Sequence, residues 1–291
     1  IKFENSALVL GDIGHFGFKR IWDDPKLANR YFNLGILEQS MIGFCAGLSR
    51  AGMYPIIHTI TPFLVERPFE QIKVDFGLNG LSGCFISVGG AYDYSTLGPT
   101  HHSYADLALF STINNSHVFS VSSYIELYEA LNESVSCSKL SYIRMNRNVV
   151  DISSELHSKS YVYHLSEGSS CTIVSTGGRT NDVLSVISSK SFSSNFSFDV
   201  FHVSRLKPFA ADKIIDSLQK TRKLLVVEDH SIVGSLYSTI LLNTPPQVLL
   251  NHTGLNLSDS RSYSYGSYDN LASKFLVSSE SIASSIASLV S

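Results

Sequence analysis

Short β-branched runs that end in small or polar residues recur along this chain, and stretches of helical spacing lie between them. Ala7 to Leu10 runs into Gly11-Asp12, Phe85 to Val88 into Gly89-Gly90, and Val118 to Val121 into Ser122-Ser123. Each run has the length of a buried strand and is followed by turn residues. Helix-like segments fall at Ile36 to Arg50, Arg67 to Phe76 and Tyr124 to Val135. Strands alternating with helices predict an α/β fold whose mostly parallel sheets are flanked by helices. The pattern restarts after a polar stretch from about Asp151 to Ser170, with strands expected at Thr172 to Ser175, Val200 to Val203, Leu224 to Val227 and Val248 to Leu250. Two domains are therefore expected, 1–152 and 168–291. One amphipathic helix within Asn270 to Val290 should close the second, with Leu271, Phe275, Ile282, Ile286 and Leu289 near helical spacing. Parallel sheets place ligands beyond the carboxyl ends of their strands, so the loops there are where chemistry is sought.

Composition narrows the choice of partners. With 44% hydrophobic and 16% charged residues and a net charge of -3, the chain reads neither as disordered nor as a nucleic-acid binder. Any anionic ligand must then be met by local groups. No apolar run approaches the roughly 18 residues that span a bilayer, so no membrane association is expected. Cys45, Cys84, Cys137 and Cys171 are far apart and form no C-x-x-C pair, which points to reduced, buried thiols and a cytoplasmic setting. The chain opens on Ile1 without a charged-then-apolar leader, and no targeting segment is expected.

Four segments carry chemical interest. Gly11-x-x-Gly14-x-x-Gly17 follows a strand but has neither the dinucleotide spacing nor a phosphate-loop lysine, and reads as a turn. Asn33-Leu34-Gly35-Ile36-Leu37-Glu38-Gln39 opens a helix. There Asn33 can cap and Glu38 can be a first-turn carboxylate favoured by the helix dipole. Alternatively, the neighbours Ile36, Leu37, Met41 and Ile42 can enclose the Glu38 carboxyl in apolar surroundings suited to proton exchange. Gly98-Pro99-Thr100-His101-His102-Ser103 places adjacent histidines in a loop, with Asp106 four residues after His102; the pattern suggests proton transfer or plain solvated loop histidines, and no metal site is expected because no nearby spacing supplies a third ligand. Arg144-Met145-Asn146-Arg147 ends a strand, where forked guanidinium groups can grip a phosphate or sulfonate or form an exposed charged edge.

Together these segments resemble the transketolase family of thiamine-diphosphate enzymes, specifically its pyrimidine-binding domain followed by its C-terminal domain. The resemblance is carried by Phe32 through Gln39 with Met41, Gly43, Ala46-Gly47-Leu48 and Gly52; by Arg67-Pro68-Phe69-Glu70-Gln71-Ile72 with Asp75; and by Gly98 through His102. Lys207-Pro208 and Val227-Glu228-Asp229-His230 with Gly234 carry it in the second half, although Ser235 stands where a second glycine is common. The Gly-Asp-Gly run with which the family holds Mg²⁺ and the cofactor's diphosphate does not occur in this sequence. The resemblance thus implies the β-like subunit of a split transketolase, working with an α-like diphosphate-binding partner subunit as an α2β2 complex.

It also implies roles. Glu38 would hydrogen-bond the N1′ atom of the cofactor's aminopyrimidine and favour its imino tautomer, with Phe63 and Ile36 as further cofactor-binding residues. His101, with His102 beside it, would handle protons at substrate oxygens, and Arg144, Arg147 or Arg67 would bind the anionic end of a sugar phosphate. The implied reaction is transfer of a two-carbon ketol unit from a ketose to an aldose, with thiamine diphosphate and with Mg²⁺ held mainly by the partner. Other readings are the β subunit of a 2-oxo acid dehydrogenase, whose motif typically reads Thr-Pro-Ile-x-Glu, and a deoxyxylulose-phosphate synthase, ordinarily one continuous chain. A non-catalytic docking subunit is the reading from another class.

Overall fold

A computed structural model describes residues 5–150, 160–248, 251–257 and 264–291. Strands β1 (Ser6–Leu10), β2 (Tyr31–Asn33), β3 (Tyr54–Ile60), β4 (Gly83–Val88), β5 (Ser116–Val121) and β6 (Leu140–Met145) lie in one sheet. Strands β7 (Val162–Ser166), β8 (Cys171–Ser175), β9 (Phe198–Val203), β11 (Lys223–Ser231) and β12 (Asn251–Leu257) form a second. Between β9 and β11, β10 (Arg205–Lys207) leaves the second half of the chain to pair antiparallel with β5. The first sheet therefore runs β10-β5-β6-β4-β3-β1-β2 and is otherwise parallel. The second runs β12-β11-β8-β9-β7, with only β7 antiparallel. Both are sheets of the doubly covered kind that strand–helix alternation predicts.

Alternation along the strands divides the core. Val9, Ile57 and Phe85 face the helix Glu38–Arg50 through Met41, Ile42 and Cys45, and this cluster runs on without a break into Val174, Phe201 and Val226 of the second sheet. The opposite face of the first sheet, with Phe119 and Ile143, packs on Ala130 of the helix Tyr124–Ser136. That helix is set by a capping box: Glu126 N donates to Ser123 Oγ (3.1 Å) and Ser123 N to Glu126 Oε2 (3.0 Å). Glu126 also pairs through Oε1 with His202 Nε2 of β9 at 2.9 Å, so a helix cap is used to join the sheets. The outer face of the second sheet is closed by Ile282, Ile286 and Leu289, each contributing about 1.5–3 kcal/mol by burial.

Several expectations are corrected. The C-terminal helix is two helices, Tyr268–Lys274 and Ser279–Val290, because Leu276 takes a left-handed conformation (φ 60°) and Ser278 caps the second. Leu271 and Phe275 accordingly pack at the junction with the first sheet, apart from the Ile282 group. Asn33 is not a helix cap. It ends β2, its side-chain oxygen accepts from Asp12 N (3.0 Å), and the helix begins at Glu38 after Leu37. The Arg67 to Phe76 helix starts earlier and is wide-turned, with π-helical stretches Pro62–Glu66 and Ile72–Leu78 around a short α-helical turn. Strand β7 lies inside the polar stretch read as a boundary. The expected strand Val248 to Leu250 falls at 249–250 outside the described residues, and β12 follows it. Cys45, Cys84 and Cys171 are buried, but Cys137 is exposed at a helix end, not buried as anticipated. Among the described residues no helix is long and apolar enough to cross a membrane.

Candidate active site

The helix Glu38–Arg50 starts just past the carboxyl end of β2, and its first residue turns inward. Glu38 is only 3% exposed, yet Ile36 and Leu37 immediately before it are 68% and 61% exposed. The apolar enclosure expected around the carboxyl is thus half formed: Met41 and Ile42 are buried below it, and the other two residues lie open to the surface. The carboxylate has a cation instead. Arg67 Nη1 donates to Glu38 Oε2 at 2.8 Å, and among the described residues the other carboxylate oxygen has no hydrogen bond. The same guanidinium lies 4.1 Å from the ring centroid of Phe63, a cation–π contact that fixes it from the other side.

Phe63 links this pair to the histidine loop. Its ring meets His101 edge-on at 5.2 Å, and His101 in turn meets Tyr94 at 6.2 Å. His101 Nδ1 lies 3.0 Å from Thr100 Oγ1, and its backbone N–H closes the turn onto Gly98 O. His102 points the other way, into the protein, with Nδ1 2.8 Å from the Tyr104 hydroxyl. Burial pulls the His102 imidazole below its usual pKa, which the nearby Tyr94 and Ser95 backbone partly offsets. Among the described residues no hydrogen bond joins His102 to Asp106, which instead accepts from the Tyr142 hydroxyl (2.6 Å) and from Arg144 (3.3 Å).

The three arginines separate in space. Arg144, expected as an anion grip, is 1% exposed and donates to Asp106 Oδ1 and to the Asp229 carbonyl (3.2 Å), so its guanidinium is held between the two sheets. Arg67 is held by Glu38 and Phe63. Arg147 is exposed and reaches a cleft of about 740 Å³ whose walls include Asp93, Tyr94, Ser95, Asn146 and Tyr268. There its guanidinium donates to the Asp93 carbonyl, at 3.3 Å. The Asp93 carboxyl is raised to about 7, by burial first and by the neighbouring Asp229, against the pull of Arg144 and Arg147. Tyr94 stands between this cleft and His101, so the cleft opens one ring away from the Glu38 group.

The structure therefore brings Glu38, Arg67, Phe63 and His101 together, turns His102 inward, and places Arg147 in the adjoining cleft and Arg144 in the interior. Sequence reasoning missed Asp93, Tyr94 and Tyr268. Their only signal was a run of tyrosines before Gly98, and Tyr268 arrives from the far end of the chain. A buried carboxylate with one free oxygen, flanked by exposed apolar side chains and an aromatic ring, fits a flat heterocycle that presents a ring nitrogen. Among the described residues no three potential metal ligands cluster.

Comparison with known proteins gives the same domain order. The transketolase pyrimidine-binding domain model matches residues 13–151 and the transketolase C-terminal domain model residues 160–282. An uncharacterized 33.6 kDa protein in the fasciation locus of Rhodococcoides fascians is 28% identical over 249 residues, which cover 84% of this chain and 77% of that protein. One of the apulose-4-phosphate transketolase subunits of Actinobacillus succinogenes is 25% identical over 236 residues, covering 78% and 75%. A solved structure described as a split gene transketolase, inactive beta4 tetramer, superposes with a TM-score of 0.83 at 22% identity, over 99% of this chain and 92% of that one. At that identity the superposition speaks for the fold.

Proposed function

The chain belongs to the transketolase family, whose members depend on thiamine diphosphate, and we propose that it is the β-like subunit of a split transketolase. In this reading it provides the pyrimidine side of the active site, and a separate α-like chain provides the diphosphate and Mg²⁺ side, as α2β2. The observation that carries the proposal is Glu38: a nearly buried carboxylate with one oxygen unbonded among the described residues, at a surface where Ile36 and Leu37 are left uncovered. Leaving large apolar side chains open beside a desolvated acid is costly for an isolated chain and is natural where a cofactor and a second chain close over them.

Bound thiamine diphosphate supplies a carbon nucleophile that accepts a two-carbon unit from a ketose and passes it to an aldose. The work of this chain is at the edges of that chemistry. Glu38 holds and exchanges the proton at the pyrimidine ring nitrogen, where a preset carboxylate is worth about 10²–10⁴ in rate. Arg67 keeps Glu38 oriented and Phe63 in place. Ile36 and Phe63 give apolar cover to the heterocycle. His101, half-buried at the loop tip, moves protons at substrate oxygens. Arg147 holds the anionic end of a sugar phosphate in the adjoining cleft, the arginine of the Arg144-Arg147 pair with donors to spare. Relatives named as transketolases of a phosphorylated and of a sulfonated sugar support an anionic sugar as substrate.

The test is reconstitution. The purified chain is mixed with a candidate α-like diphosphate-binding chain, and thiamine diphosphate is titrated in with Mg²⁺. Saturable uptake by the mixture and by neither chain alone, followed by two-carbon transfer between sugar phosphates, is the expected result. A mixture that takes up no cofactor refutes the reading and leaves a docking subunit.

A further inference from the structure

The loop that carries His101 runs from Gly89, at the end of β4, to Ala105. Its own regular structure is one 3-10 turn, Ser95–Leu97, and one isolated bridge between Ala91 and Ser103. The first sheet's domain reaches it through Ser103, whose hydroxyl donates to Glu66 at 2.5 Å, through Arg147, which donates to the Asp93 carbonyl at 3.3 Å, and through Phe63 against His101. The second sheet's domain reaches it at three places, before, at and after the histidine turn.

Before the turn, Arg179 donates through Nη2 to the Tyr92 hydroxyl and through Nε to Asp229 Oδ1 at 2.8 Å, while Tyr92 itself donates to Asp229 (3.4 Å). The Tyr92 ring is fully buried between Tyr268 (4.9 Å) and Phe275 (5.3 Å, stacked). Beside the turn, Gly98 has φ +80°, and a Cβ there would overlap the ring of Tyr265, so the tyrosine lies directly on the Gly-Pro-Thr-His-His backbone. After the turn, Ser231 N donates to the Tyr104 carbonyl at 2.7 Å and the Tyr104 ring abuts Phe275 at 5.5 Å. Tyr104 is also the residue that bonds His102.

The two halves are joined elsewhere by Glu126–His202 and by β10 on β5; these three further contacts add nothing to that seam that it lacks, and they bracket the reactive tip of one loop. We propose that the second sheet's domain is a splint for the histidine loop, with Arg179, Asp229 and Tyr265 as positioning residues that act through Tyr92 and Gly98. The proposal deepens the functional reading given above and rests on it for the catalytic consequence. The loop's own backbone bonds are local turns (Asp93 N to Gly90 O, Leu97 N to Tyr94 O, His101 N to Gly98 O) and the Ser103–Ala91 bridge, which shape the tip but do not anchor it to a sheet, and a displacement of about 1 Å at a proton-transfer group costs up to about a hundredfold in rate. The groups facing His102 are the Tyr104 hydroxyl, His101 and the Tyr94 and Ser95 backbone, all on the loop, so a loosened loop changes what His102 feels.

Two substitutions test it in the full chain. Tyr265→Ala removes a side chain that is 71% exposed, and Tyr92→Phe removes one hydroxyl and keeps the ring, so both proteins should fold. Asn181→Ala, which deletes a contact between the two halves of the chain away from the loop (Asn181 Nδ2 to Val149 O, 2.7 Å), is the control. Imidazole resonances of His101 and His102 are followed against pH in the chain alone. In both loop variants the His102 midpoint should rise towards its ordinary value and the His101 signal broaden, with Asn181→Ala unchanged. In the reconstituted complex Tyr265→Ala should lower kcat about fivefold or more with cofactor affinity unaltered. Folded loop variants whose histidines titrate as in the parent chain overturn the splint. Shifted histidines in a complex whose parent form transfers no sugar uphold the splint and overturn the catalytic reading instead.

Discussion

Glu38→Gln separates chemistry from stability. Gln has the same shape and can still accept from Arg67 Nη1, so the substitution removes a charge and an exchangeable proton and leaves the packing alone. The loss to the fold is small, because Arg67 is 42% exposed and its attraction to Glu38 is screened by solvent. An ion pair with one exposed partner is worth at most about 1 kcal/mol. For a chain of this size that moves Tm by about 2–4 °C. The loss to the reaction is of another order. A positioned acid–base group contributes about 10²–10⁴ in rate, which at about 1.4 kcal/mol per tenfold is about 3–5 kcal/mol of barrier. The chemical effect should therefore exceed the structural one several-fold. The assay pairs thermal unfolding of the chain alone with steady-state transfer by the reconstituted complex at saturating cofactor. A variant that turns over within about threefold of the parent under those conditions would falsify the assignment of Glu38.

Three more tests bear on other residues. Arg147→Ala should raise the KM for a phosphorylated sugar about tenfold or more while leaving its dephosphorylated analogue and the Tm unaffected; equal losses for both substrates would remove the anion role. Arg144→Met leaves the fully buried Asp106 with Tyr142 as its remaining side-chain partner among the described residues and should destabilise by about 3–5 kcal/mol in denaturant titration, and a change below about 1 kcal/mol would show that the pair is not the strut described. Asp93, with its pKa raised from 3.8 to about 7, favours the protonated form in the fold, so its contribution to stability is complete below about pH 4 and is lost as the pH climbs to about 7. Asp93→Asn should therefore gain Tm on the parent between pH 5 and pH 8, by a few degrees. A constant gap across that range would refute the shift.

Much of the fold is legible because its signals are local. The runs ending at Leu10, Val88 and Val121 became β1, β4 and β5, and the Tyr124 helix is bounded by a capping box readable in Ser123 and Glu126. Legibility fails where a local signal is overruled. Leu271 to Leu289 keeps helical spacing across Phe275 to Ser278, yet the chain breaks there so that Phe275 can meet Tyr92 while Ile282 meets the second sheet. Asn33 has the composition of a cap, but its amide is drawn to Asp12 across the strand ends.

What the sequence determined alone was the alternation of strands and helices, the position of Glu38 at a helix start and the grouping of the histidines at a strand's carboxyl end. All of these follow from spacings of a few residues, the range over which backbone geometry repeats. Only the tertiary structure decided that Arg67, 29 residues downstream, faces Glu38, that Arg144 is sealed between sheets while Arg147 stays open, and that Asp229 reaches Tyr92 across 137 residues. Those outcomes depend on strand order and register, which fix the loops that meet at one edge. Side chains so far apart along the chain are brought within bonding distance by packing that no local pattern encodes.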